Sequence, residues 1–162
     1  MGISKIGTPL EDAICEGIIY RLRSAPAGPV KYPYLIVSDN IENSNMSGHT
    51  DIITISSFRR AKDRLRKRKI RNGIGLEMMI TPIRKLDGIG VAKWFEDIRE
   101  LCLFCHSTHC QLILSSGANS ICEMVSGRCF DAILRNCDIE PDKHWHEMEE
   151  WIEECLSRRV SV

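Results

Sequence analysis

The chain has 162 residues, 43% of them hydrophobic, and its 22 Lys and Arg are balanced by 22 Asp and Glu. This length suits a single domain over residues 1–162 with one core, and no run comes near the about 18 apolar residues that a membrane helix needs. Eight cysteines would suggest disulfides in a secreted protein. The N-terminus lacks an apolar signal core, however, so free thiols in a reducing, cytoplasmic compartment are expected.

Leu10, Ala13, Ile14, Gly17, Ile18 and Leu22 recur at helical spacing with Pro9 in the first turn, which predicts an amphipathic helix over 9–23. Pro26, Gly28, Pro29 and Pro33 then mark a connector, so residues 1–33 read as a helix and its linker. The β/α core is expected over 34–138. It opens with the apolar strand Tyr34-Leu35-Ile36-Val37, and the polar stretch Ser38 to Thr50 reads as a loop. Ile52-Ile53-Thr54-Ile55 is the next strand. A basic helix follows to Arg71, and Asn72-Gly73 ends it as a left-handed C-terminal residue does. Ile74 to Ile80 and Gln111 to Leu114 are strands on either side of a long helix from Val91 to about His109. Helices at 128–137 and 143–157 close the chain, the latter within an acidic segment over 139–162. Apolar strands separated by helices predict an α/β fold with a parallel sheet buried on both faces.

Nine of the fourteen residues from Phe58 to Arg71 are Arg or Lys, and only Asp63 is acidic. On a helical wheel Phe58, Ala61 and Leu65 share a narrow apolar face, while Arg60, Arg64, Lys67 and Arg71 form a stripe on the far side, flanked by Arg59 and Arg68. Like-charged neighbours four residues apart each cost the isolated helix about 0.2–0.5 kcal/mol, and a merely solubilising surface usually mixes in glutamates. A polyanion, above all nucleic acid, would offset that cost. The alternative is internal pairing, because Asp138 to Glu154 carries eight acidic residues against the single Lys143.

Other constellations have plainer readings. Cys102, His106 and His109 could offer three metal ligands from one helical face, and Cys102-x-x-Cys105-His106 matches haem attachment. The run to Cys110 also reads as the packed end of the long helix, with Cys102 and Cys105 on its apolar stripe and His106 and His109 at its negative pole. His144 and His146 fall on different helical faces. Glu77 on an apolar strand has no partner acid or base at catalytic spacing, which favours a buried, hydrogen-bonded structural role. Ser115-Ser116-Gly117-Ala118 sits at a strand's C-terminal end, where hydroxyls and amides hold a phosphate or where a tight turn demands small residues.

Two segments carry a resemblance: Asn72-Gly73-Ile74-Gly75-Leu76-Glu77-Met78-Met79-Ile80-Thr81-Pro82 and Leu112-Ile113-Leu114-Ser115-Ser116-Gly117-Ala118. The pairing of a glycine-ended helix, a Glu-bearing strand running into Thr-Pro, and a strand ending in Ser-Ser and small residues resembles the archaeal and eukaryotic ribonuclease P protein component 3 family. The similarity covers about Asp51 to Asp138. The family's Arg-x-Pro-x-Asp element is matched only by Arg128-Cys129-Phe130-Asp131, which lacks the proline. A complete β/α barrel takes about 200–250 residues, so a partial or shortened barrel is expected, with its edge covered by the N-terminal helix or a partner, or with a further strand in the first fifty residues.

The resemblance implies an RNA-binding subunit of ribonuclease P that supports removal of tRNA 5′ leaders by the catalytic RNA. It implies ribonuclease P RNA, precursor tRNA and a second small protein subunit as partners. Arg59, Arg60, Arg64, Lys67, Arg68, Arg71 and Arg128 are then the expected RNA contacts, and Ser115, Ser116 and Gly117 a candidate phosphate loop. No catalytic group, metal or cofactor is expected. Two other classes remain open: a small metal-dependent phosphoesterase on a related barrel, and a protein-interaction domain with no RNA role.

Overall fold

The computed structural model describes residues 19–41, 50–67, 70, 72–118 and 120–160. Five parallel strands form one sheet whose spatial order is their order in the chain: β1 (Tyr20–Leu22), β2 (Tyr34–Ser38), β3 (Ile52–Ile55), β4 (Gly75–Met79) and β5 (Gln111–Ser115). Among the described residues four helices lie against it: α1 (Phe58–Lys67), α2 (Gly88–Thr108), α3 (Gly127–Asn136) and α4 (Pro141–Val160). Short 3-10 turns at Thr81–Lys85 and Ile121–Glu123 follow β4 and β5. Among the described residues no helix is long and apolar enough to cross a membrane.

The alternation of side chains along each strand assigns the two faces. Ile53, Ile55, Leu76, Met78, Leu112 and Leu114 pack against Phe58 and Leu65 of α1, Ile98 and Leu101 of α2, and Ile133 and Leu134 of α3. On the opposite face Leu35, Ile52 and Ile113 meet Met148, Trp151 and Cys155 of α4. Both faces are therefore covered, and this is why the strands read as continuously apolar. The seat of α4 depends on Gly75. A β-carbon there would stand 2.4 Å from Ile113 Cδ1 and 2.9 Å from Trp151 Cζ2, so only glycine lets the indole lie on β4. Trp151 Nε1 also donates to the Gly73 carbonyl at 2.8 Å, and Gly73 adopts φ +78° as the expected left-handed stop.

Two expectations need correction. Residues 20–22 are strand β1, not the end of a helix over 9–23, and the rest of that segment up to Ile18 lies outside the described residues. On a helical wheel Arg21 would fall among Ile14, Gly17 and Ile18 on the apolar face, but its guanidinium reaches Glu77 on β4, and this distant partner overrides the local periodicity. The proline-rich stretch consequently joins two adjacent strands instead of leading into the core. The polar stretch after β2 lies outside the described residues at 42–49, although Ile41 before it is buried in the core.

Candidate nucleic-acid interface

Helix α1 begins without an acidic residue in its first turn, which leaves its amide donors to be satisfied from elsewhere. Asp97, buried on α2, supplies the acceptor. Its carboxylate receives the Ser57 hydroxyl at 2.8 Å, the Phe58 amide at 3.1 Å and the Arg59 amide at 3.2 Å. The same contacts place a negative charge at the positive end of the α1 dipole. Phe58, Ala61 and Leu65 are buried behind it, and the Phe58 ring lies 5.4 Å from that of Phe104. The apolar edge of α1 is thus fixed on α2 and the sheet, as its spacing predicts.

This docking sorts the cations into two sets. Arg59 pairs with Glu96 at 3.0 Å and Lys62 with Glu100 at 2.7 Å, both acids lying on α2. The Lys62 ammonium, followed at longer range by Arg59 and Arg66, holds the Glu100 carboxyl below its ordinary range against the small cost of desolvation. Arg60, Arg64, Arg66 and Lys67 are exposed, and no ion pair among the described residues engages them. Arg68 and Arg71 lie outside the described residues. Nor does any described ion pair join α1 to the acidic segment. Glu147, Glu150 and Glu154 pair within α4, and Asp138 pairs with Arg99.

Arg128 is exposed in the first turn of α3. It stands apart from the α1 stripe because α2 lies between the two helices. Asp97, Glu96 and Glu100 face α1 from one flank of α2, whereas Phe95 and Arg99 meet Cys137 and Asn136, at the C-terminal end of α3, from the other.

The loop after β5 is built for a close turn. The Ser115 and Ser116 carbonyls accept the Ile80 and Thr81 amides at 2.9 and 3.0 Å, so the β4–β5 pairing runs on past the strand ends. Gly117 has φ +62°, and a β-carbon there would stand 2.9 Å from Met79 Cβ, so conformation and space both require glycine. The Ser116 hydroxyl accepts the Ala118 amide at 3.3 Å, while Ser115 Oγ is buried without a hydrogen-bond partner among the described residues.

Glu77 is fully buried on the face that α4 covers. It receives both guanidinium nitrogens of Arg21 and the Thr54 hydroxyl, the latter at 2.7 Å. Burial alone would raise its pKa, but Arg21 and then Thr54 outweigh it and hold the carboxyl below its ordinary range; Ser115 Oγ lies near enough to favour the charge without being aligned for a hydrogen bond. A carboxylate bound on three sides is a structural anchor and not a free base.

The Cys102 to Cys110 segment is the end of α2. Cys105 is buried, burial pushes its thiol well above the ordinary range, and His109 closes the helix at φ 51°. Among the described residues no three of His, Cys, Asp and Glu come together as a metal-ligand set.

Sequence reasoning missed Asp97 and Arg21, the two groups that position α1 and Glu77. Asp97 has a signal, a charge within the apolar stripe of a helix, and Arg21 has the same one in the helix expected over 9–23; neither signal names the partner, which for Arg21 stands 56 residues away. Compared with family models, curated proteins and solved structures, the chain matches none.

Proposed function

We propose that the chain binds structured RNA through the exposed side of α1, as a non-catalytic protein subunit of ribonuclease P. One observation carries the RNA reading: the acids of α2 engage the inner cations, Arg59 and Lys62, and leave Arg60, Arg64 and Lys67 facing solvent on a rigidly capped helix. Cations that outnumber the one local acid, Asp63, and pair with no described acid suit phosphates when held on a fixed scaffold. The aromatic residue of α1, Phe58, is buried, so the helix offers no stacking platform for single strands and favours the backbone of folded RNA.

The finer assignment rests on the resemblance over Asp51 to Asp138. Five consecutive parallel strands in chain order are the arrangement of a β/α barrel segment, and we read the sheet as part of such a barrel. The Arg21 contact supports inward curvature. It crosses three interstrand steps of about 4.8 Å each, a span that two side chains bridge most readily on a concave face. On this reading the partners are ribonuclease P RNA, precursor tRNA and a second small protein subunit, the compartment is cytoplasmic, and the chemistry belongs to the RNA.

The test is reconstitution. The chain added with its partner subunit to the cognate RNA should raise the rate of precursor tRNA cleavage, and the chain alone should not cleave. Magnesium-dependent cleavage by the chain alone, abolished by Glu77→Gln, would sink this reading and favour a phosphoesterase.

A further inference from the structure

Among the described residues the exposed large apolar side chains are Leu86, Ile89, Leu103 and Met124, and three of these four lie in or just after the connections that follow β4 and β5. The Arg84 guanidinium donates to the Glu123 carbonyl at 2.8 Å, tying the turn after β4 to the turn after β5. Leu86 lies two residues beyond Arg84 and Met124 one residue beyond Glu123, so both flank this bond in the chain. Ile89 follows at the start of α2 and is 66% exposed. Ile83 and Val125, in the same two connections, are half-buried against the core, so each connection carries exposed and half-buried aliphatics, an apolar strip at the carboxyl ends of β4 and β5. Isolated exposed aliphatics are ordinary, whereas a contiguous group rimmed by charge marks an interaction site.

The rim is positive. Lys85 is exposed beside Leu86, Lys93 is exposed one helical turn after Ile89, and Arg128 is exposed at the start of α3, three residues after Val125. Two acids adjoin the strip in sequence: Asp87, beside Leu86, caps α2 by accepting the Gly90 amide at 2.7 Å, and Glu123, beside Met124, is half-buried.

We infer that this strip is a docking surface for an acidic amphipathic helix of a protein partner, whose apolar stripe covers Leu86, Ile89 and Met124 while flanking carboxylates meet Lys85, Lys93 and Arg128. The inference is independent of the RNA reading. Phosphodiesters present no aliphatic surface to bury, and bases stack on aromatic rings or guanidinium planes, not on branched aliphatics. A second copy joined patch to patch would set two positive rims against each other. An acidic helix satisfies both the centre and the rim.

The experiment titrates the full chain with a synthetic helix carrying leucines at i, i+3, i+4 and i+7 between glutamates, following methyl signals of Leu86, Ile89 and Met124 by NMR. A scrambled peptide of equal composition and a lysine-flanked version serve as controls. Shifts confined to the strip are expected with the glutamate helix, with affinity falling about tenfold or more in Ile89→Ser/Met124→Ser while the melting temperature is unchanged. Lys85→Glu/Lys93→Glu gives a second route, which should reverse the preference towards the lysine-flanked helix. Equal binding of the scrambled peptide, indifference to both variants, shifts that depend on chain concentration alone, or the same shifts on adding RNA would each overturn the proposal.

Discussion

Arg21 and Glu77, 56 residues apart in the chain, form a two-pronged ion pair across the face of the sheet, linking the edge strand β1 to β4. Glu77 has no exposure and the Arg21 side chain 17%, so neither charge is well hydrated. Replacing one partner leaves the other stranded. Arg21→Met is expected to cost about 3–5 kcal/mol, whereas Arg21→Met/Glu77→Leu, which removes both charges, should recover much of that loss. Chemical denaturation of the two variants checks this, and equal losses would show that the pair is not coupled.

The same pair sets an acid limit. Because the folded-state pKa of Glu77 lies below its ordinary value of 4.5, the pair contributes stability above about pH 4.5 that is lost as pH falls through the folded value. In Arg21→Met the carboxyl is buried without its cation and prefers the proton. The stability gap between wild type and Arg21→Met should therefore narrow as pH is lowered, first above about 4.5 as the variant's carboxyl takes up its proton and then below it as the wild-type pair is lost. A gap independent of pH would place the cost elsewhere.

His144 produces a separate dependence at higher pH. It is 3% exposed, and its Nε2 has no hydrogen-bond partner among the described residues. Burial depresses its pKa below the ordinary 6.5, with Glu147 opposing in part. The fold then requires the neutral ring: stability is complete above about pH 6.5 and falls as pH drops from there towards the folded value. His144→Leu should flatten the melting temperature just below about pH 6.5 while leaving the Glu77 transition in place. An unchanged slope in that variant would rule His144 out as its source.

Two glycines are under different constraints and should respond differently. At Gly75 a methyl group meets the Ile113 and Trp151 side chains, which can shift, so Gly75→Ala should cost about 1–3 kcal/mol by overpacking and loosen α4. At Gly117 the methyl meets the Met79 Cβ and the backbone is left-handed, so strain adds to the clash. Gly117→Ala should be the more destabilising of the two by denaturant melts. Hydrogen exchange should show the Gly75→Ala opening confined to α4.

What the sequence made legible follows from where the stabilising contacts lie. Strands β2 to β5 and all four described helices were readable because their apolar spacing reflects burial against the sheet, and Asn72-Gly73 marked its turn through glycine's left-handed freedom. Strand β1 was not readable. Three residues carry too little periodicity, and the partner that makes a strand of them is a carboxylate on β4. The division of the α1 cations was hidden for the same reason, since Glu96 and Glu100 look like ordinary surface acids until α2 is laid against α1. Thr81-Pro82 was visible as a strand end, but the exposed strip beyond it arises only when two loops meet.

That division yields the sharpest test of the interface. Replacing Arg60, Arg64 and Lys67 with Gln removes cations that no described acid engages, together with the like-charge repulsion between Arg60 and Arg64, so folding stability should change by less than about 0.5 kcal/mol. If each meets a phosphate, the magnitude of the salt slope for binding folded RNA should drop by about 1 per residue replaced. The contrasting variant, Arg59→Gln/Lys62→Gln, breaks the pairs to Glu96 and Glu100. These are exposed or half-exposed bridges worth about 0–1 kcal/mol each, so it should lower the melt slightly while leaving the salt slope nearly intact. The measurement is affinity for one structured RNA across a salt series, alongside melts of all three proteins. Equal slopes in the wild type and both variants would reduce the stripe to a solvated face, and a slope lost only in Arg59→Gln/Lys62→Gln would move the RNA surface to the α1–α2 seam.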